Sequence, residues 1–176
     1  MAELFIIGQI VGASGFNQST LSCKWHLEAG NAWKVVGGYS EGITKTDQSY
    51  GEEEVKWNHP IDVRFATRGL QGWPKFCIEV YSVDIFNRSR VVGYGFMHVP
   101  LTPGHHKEVC QTWSLRQSTW ESIRQFFLGS PPEEVKPNNF HSGVDRYKLN
   151  TQSAGVVSFE LNTIFKNFDA YGVEYK

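Results

Sequence analysis

Apolar and polar residues alternate with a period of two through most of this chain. In "LSCKWHLE", Leu21, Cys23, Trp25 and Leu27 share one parity while Ser22, Lys24, His26 and Glu28 share the other. That is the pattern of a strand with one face in a core and one in water. In "HPIDVRFAT" Ile61, Val63 and Phe65 alternate with Asp62 and Arg64, and in "KFCIEVYSV" Phe76, Ile78 and Val80 recur on one face. "GVVSFELNTIF" sets Val157, Phe159, Leu161 and Phe165 opposite Ser158, Glu160 and Asn162. Weaker strand patterns cover 32–36, 39–46, 53–58, 90–99 and 106–111. Some eight short strands separated by Gly, Asn and Pro turns predict an all-β chain, an antiparallel sandwich or barrel. An aromatic content of 14%, with six Trp, agrees, because aromatic side chains pack well on pleated surfaces.

Two segments depart from simple alternation. Near the N-terminus Leu4, Ile6 and Ile10 fall on one face, but Phe5, Ile7 and Val11 make the other apolar too. A strand covered on both faces is expected, by the chain's own helix or by a partner. In "STWESIRQFFLGSPP", Ser118 and Glu121 have capping-box spacing and Trp120, Ile123 and Phe127 recur on one face. Gly129 and Pro131-Pro132 then end one short helix, which would pack on the sandwich. "SPPEEVKPNNFHSG" reads as a surface loop, and "VGASGFN" as a hairpin connection.

The chain of 176 residues is one domain's worth, 1–176, able to bury roughly two-thirds of its unfolded surface. Its 17 basic and 18 acidic residues leave a net charge of −1, which gives no global attraction to nucleic acid or to an anionic membrane. The apolar N-terminal run has no basic leader and is too short to span a bilayer, so it reads as a strand of a soluble protein. Cys23, Cys77 and Cys110 are odd in number and unpatterned, which favours a reducing compartment.

Thiol catalysis would need one of these cysteines beside His26, His59 or His98. Cys23 lies on the apolar face of its strand, and no Gly-rich nucleophile turn precedes any of the three. All three read as buried structural thiols. His105-His106 with Cys110 invites a zinc reading, but adjacent strand residues point to opposite faces, so a solvated turn is preferred. Glu52-Glu53-Glu54 reads as a solvated edge. No phosphate loop is present, and the basic residues are scattered apart from Arg88 and Arg90.

The stretch "HPIDVRFATRGLQGWPKFCIEVYSVDIFNRSRVVGYGFMHVPLTPGHH" closely resembles the B9 domain, a divergent C2-type β-sandwich of ciliary transition-zone proteins. "LQGWPK", "GYGF" and the Val99-Pro100 to His105 segment carry the likeness; "IIGQIVGASGF" and "NFDAYGVEY" extend it over nearly the whole chain. In "LQGWPK", Gly72 and Pro74 set a turn and Trp73 is expected to cap the core. The resemblance implies a non-enzymatic scaffold without cofactor, in the cytoplasm and cytoskeleton at the basal body and transition zone. The implied partners are other B9-domain proteins, including the Meckel syndrome type 1 protein, and tectonic-like membrane proteins. The implied role is in the diffusion barrier between plasma and ciliary membranes and in ciliogenesis.

Residues 78–96 also resemble the third loop of calcium-binding C2-type domains. Asp84 matches one of that loop's paired aspartates, but Ser82 stands at its partner position and Asn87, Arg88, Ser89 and Arg90 where further acids would be. The loop "GASGFNQST" holds no acid. No calcium site is expected, and Asp84 reads as a turn residue. Two surfaces remain as candidates. The tail residues Phe168, Tyr171 and Tyr175 offer a partner interface, against which stands packing within the chain. Phe86, Arg88 and Arg90 offer contact with lipid headgroups or an acidic partner, the basis of an alternative reading as a calcium-independent peripheral membrane module.

Overall fold

The computed structural model describes residues 1–49, 54–115 and 151–172. The strands among them are β1 (Ala2–Ser14), β2 (Thr20–Glu28), β3 (Trp33–Gly38), β4 (Glu41–Ile43), β5 (Asp47–Gln48), β6 (Val55–Thr67), β7 (Lys75–Val83), β8 (Ser89–His98), β9 (Gly104–Leu115) and β10 (Thr151–Lys166). They pair in the order β3-β6-β1-β10-β9-β8-β7-β2-β4, with β5 on β2, and the paired strands are antiparallel. Between β8 and β9 only Tyr94 with Trp113 and Gly95 with Thr112 are in register. The sheet folds over at that short seam into two layers, β3-β6-β1-β10-β9 against β8-β7-β2-β4.

The alternating residues meet between the layers. Leu4, Ile6 and Ile10 of β1, Val63 of β6 and Leu161 of β10 are buried against Leu21 and Cys23 of β2 and Ile78 and Val80 of β7. Phe76 reaches across to Phe159 with ring centroids 5.2 Å apart, and the Trp57 indole N–H donates to the Leu21 carbonyl at 3.2 Å. The fold is the all-β antiparallel sandwich that the alternation predicts. The short helix expected after Ser118 lies outside the described residues.

Three local readings change. Segments 53–58 and 59–67 join into the single strand β6, which runs through Pro60. This is tolerated because β3 pairs with β6 only from Val63 to Thr67, so no ladder on that side needs the missing N–H. "VGASGFN" is not a hairpin: β1 pairs with β6 and β10 while β2 pairs with β4, β5 and β7, so the connection arches from one layer to the other. In β1 the register slips between Ile10 and Gly12, which moves the inward parity from Leu4, Ile6 and Ile10 to Ala13. That bulge at Val11 is one source of the mixed apolar pattern of the first strand.

The end of the sandwich carrying loops 29–32 and 68–74 is closed by aromatic rings. Trp33 and Trp73 meet edge to face at 5.1 Å, and Phe168 packs at a tilt against Phe165 at 4.9 Å and Trp73 at 6.1 Å. The Trp73 indole donates to the Val99 carbonyl at 2.9 Å, and the Trp33 indole to the Gln71 carbonyl at 3.1 Å. Beneath the rings Gly30 N–H donates to the Gly72 carbonyl at 2.8 Å. Gly72 has φ +74°, and a Cβ there would lie 2.5 Å from the Gly30 Cα, so only glycine fits. The "LQGWPK" segment is therefore a structural cap, in the role the sequence suggests for Trp73.

The tail is part of this cap. A 3-10 turn, Asp169–Tyr171, ends at Gly172 in the left-handed conformation and holds Phe168 at 0% exposure. Phe168→Ala should cost about 3–5 kcal/mol and lower the Tm by on the order of 10 °C. Gly72→Ala should also lower it, whereas Leu101→Ala, at a residue 67% exposed, should leave the melt within about 0.5 kcal/mol of the parent. Differential scanning fluorimetry of the three variants checks this.

Candidate functional site

The β7–β8 connection is a loop tip built around Asp84. One carboxylate oxygen accepts the backbone N–H groups of Phe86 and Arg88, both at 2.9 Å, and the other accepts the Arg88 side-chain Nε–H at 2.7 Å. Asp84 N–H donates to the Arg88 carbonyl at 3.0 Å, and Asn87 N–H returns to the Asp84 carbonyl at 2.9 Å. Asn87 takes the left-handed φ of 59° that this closure needs and that Asn tolerates. The backbone N–H of Arg88, followed by its guanidinium and the N–H of Phe86, holds the Asp84 carboxyl below its ordinary range. Asp84 is thus a turn residue whose two oxygens are engaged by the loop itself.

The tip presents Ile85, 93% exposed, and Phe86, 72% exposed. Arg88 lies over the Phe86 ring at 5.2 Å while bonded to Asp84, so much of its charge is answered locally. Arg90 is exposed at the start of β8. Sequence reasoning picked out Phe86, Arg88 and Arg90 but missed Ile85. The signal was two consecutive apolar residues inside the polar run "DIFNRSR".

The tail residues separate. Phe168 is wholly buried by its own chain, which corrects its reading as a partner contact: its ring is enclosed by Trp33, Trp73 and Phe165. Tyr171 is half-buried and packs on the same cluster. Tyr175 lies outside the described residues.

The second face of the first strand, expected to be covered by the chain's own helix or by a partner, is open among the described residues. This outer face carries Phe5, half-buried with the Arg64 guanidinium 5.1 Å from its ring, and Ile7, 42% exposed. Ile164 of β10 stands directly opposite Phe5 and is 50% exposed. Around them lie Asp62, Asn162, and Glu160, which accepts from Gln9 at 3.0 Å and pairs with His105 at 3.2 Å and Lys107 at 3.8 Å. Among the described residues nothing covers this apolar centre with its polar surround.

The histidines and thiols are placed as follows. His105 and His106 lie on β9 rather than in a solvated turn, and they diverge: His105 meets Asn162, while a His106 ring nitrogen is 2.9 Å from the Thr102 carbonyl oxygen. Cys110 is buried in the core, so these residues do not converge on an ion. Cys77 faces away from the core on β7, opposite His26 on β2. Burial, reinforced by Glu28, pushes its thiol up to about 12, so it is not the activated thiolate that nucleophilic catalysis requires.

Residues 4–164 match the family B9-C2, described as "Ciliary basal body-associated, B9 protein". The chain belongs to the B9 family. The B9 domain-containing protein 2 of Homo sapiens is 46% identical over 174 residues, covering 99% of both chains, and that of Drosophila melanogaster is 44% identical over 177 residues, covering 100% of both. The B9 domain-containing protein 1 of Mus musculus is 32% identical over 97% of this chain and 85% of its own. A solved C2A domain of plant Extended Synaptotagmin 1 aligns over 92% of this chain with 11% identity and a TM-score of 0.49. The sandwich described above is thus a B9 domain, and its family is one associated with the ciliary basal body.

The depressed carboxyl of Asp84 gives a pH test with a definite sign. Its hydrogen bonds hold the tip at neutral pH and are lost as pH falls through the lowered value. Amide exchange at Phe86 and Arg88, followed by NMR, should accelerate in Asp84→Ala at pH 7. In the parent, after correction for intrinsic exchange, protection of the same two amides should fall only in strong acid. Unchanged protection in the variant would show that the backbone alone holds the tip.

Proposed function

We propose that this B9 domain acts, as one unit over 1–176, as a non-enzymatic structural subunit of a tectonic-like, Meckel syndrome-type assembly at the ciliary transition zone. In that reading it works in the cytoplasm and cytoskeleton at the basal body. It contributes to the diffusion barrier between plasma and ciliary membranes and to ciliogenesis. Its partners are other B9-domain proteins, including the Meckel syndrome type 1 protein, and tectonic-like membrane proteins. Full-length similarity to B9 domain-containing protein 2 supports the assignment.

The observation that carries the scaffold reading is the outer face of β1 and β10. An apolar centre of Phe5, Ile7 and Ile164 inside a ring of paired polar groups has the make-up of a protein interface, with a dry middle and a wet rim. Ile7→Asp combined with Ile164→Asp should abolish co-purification of the other B9 and tectonic-like proteins from ciliated cells, while the isolated protein keeps its melt. Full recovery with the double variant would remove this face as the docking surface. Failure of the parent to recover those proteins would remove the assignment itself.

A second reading, a calcium-independent peripheral membrane module, has a specific observation behind it: Ile85 and Phe86 project from the tip. Inserting both would contribute about 1.5–3 kcal/mol each, and Arg90 about 1 kcal/mol more at an anionic surface. With Arg88 held by Asp84, membrane contact would be weak and would need tethering within a complex. Flotation with phosphatidylserine vesicles should show slight binding by the isolated protein, lost in Ile85→Ser with Phe86→Ser. No difference between parent and variant would leave the scaffold reading alone.

A further inference from the structure

On the outer face of the second layer, away from both the β1 face and the loop tip, the β2–β7 register places His26 directly opposite Cys77 and Glu28 opposite Lys75. Directly opposed residues on one face have Cβ atoms roughly 4.5–5.5 Å apart, and the diagonal neighbour remains within reach of a glutamate. One imidazole nitrogen of His26, the Cys77 Sγ and a Glu28 carboxylate oxygen lie within 4.8 Å of one another. Cys77 is buried, His26 half-buried and Glu28 exposed, so the donors run from the floor of a shallow site to its mouth. From this juxtaposition we infer that His26, Glu28 and Cys77 form a binding site for a zinc ion.

The donor set selects the metal. One thiol, one imidazole and one carboxylate suit Zn2+, whereas calcium and magnesium require a shell of oxygens that this site does not offer. Three protein ligands leave the fourth tetrahedral position to water. Charge also matches: one thiolate and one carboxylate neutralise a divalent cation, as a partly buried site requires. Ligation needs the donors to close by about 1 Å towards tetrahedral separations, well within side-chain rotation of His26 and the exposed Glu28.

Without the ion, Cys77 and Glu28 are held by contacts with one another and with Lys75. The Cys77 S–H points at a Glu28 carboxylate oxygen at 3.7 Å, and the Lys75 ammonium sits 3.2 Å from the same carboxylate. Lys75 is the resident cation that a metal displaces. On binding, the Cys77 thiol loses its proton to solvent as the Sγ–Zn bond forms. Glu28 passes from Lys75 to the ion, His26 coordinates as neutral imidazole, and water completes the shell. Neither B9 membership nor the scaffold reading enters this argument, so the site can fail without affecting them.

Cobalt reports thiolate ligation directly. The full chain without a polyhistidine tag, stripped with EDTA and desalted, is titrated with Co2+ and then with Zn2+. A saturable thiolate-to-cobalt charge-transfer band at one equivalent, bleached by Zn2+, is the expected result. Cys77→Ser should lose the band. His26→Ala and Glu28→Gln, which alter less buried side chains and should fold, should each weaken Co2+ binding by at least about tenfold. The absence of a saturable band in the parent would overturn the site. So would a band that survives in Cys77→Ser, or affinities unchanged in both His26→Ala and Glu28→Gln.

Discussion

The backbone ladder on both edges of β1 is the constraint on which the rest depends. From Glu3 onward this strand pairs with β10 on one side and β6 on the other, so residue 3 faces Lys166 and Ala66 at once. Glu3 marks the junction with a salt bridge to Arg64 at 2.8 Å and another to Lys166 at 3.3 Å. Because the N-terminal strand lies between segments distant in sequence, the first layer cannot close until the C-terminal strand arrives. Such non-local pairing carries a large loop-closure entropy and is characteristic of slow-folding sandwiches.

The aromatic cap follows from that closure. β10 and the turn after it deliver Phe165 and Phe168 to Trp33 and Trp73, and the Gly30–Gly72 contact lets the two loops beside those indoles approach each other closely. One end of the sandwich is thereby sealed by hydrophobic burial and indole hydrogen bonds. Among the described residues, the outer sheet faces and the β7–β8 loop tip are left exposed.

The two candidate surfaces differ in how legible they were. In strand β7 the alternating Phe76, Ile78 and Val80 all enter the core, although Cys77 and Glu79 on the other face are buried as well, and the match of "KFCIEVYSV" to Lys75–Val83 leaves Asp84 as the first residue of the turn. Local chemistry suffices there, because an aspartate oxygen caps the N–H groups two and four residues ahead of it. The outer face of β1 was less readable: Phe5 and Ile7 are apolar whether a neighbour covers them or not, and composition does not say which. Phe168 shows the opposite failure. Three aromatics after the last alternating strand, Phe168, Tyr171 and Tyr175, look alike in sequence, and the turn ending at Gly172 aims the Phe168 ring inward.

By itself the sequence determined the parts that depend on near neighbours. Period two dictated the strands and the residues that line the core, Gly72-Trp73-Pro74 a tight turn with a ring above it, and Asp84 a turn residue. Tertiary structure alone decided which strands lie side by side, because backbone hydrogen bonds between strands carry no residue code. From that pairing came the arch from β1 to β2, the bulge at Val11, the burial of Phe168 and the meeting of His26 with Cys77, some fifty positions apart, across one antiparallel register.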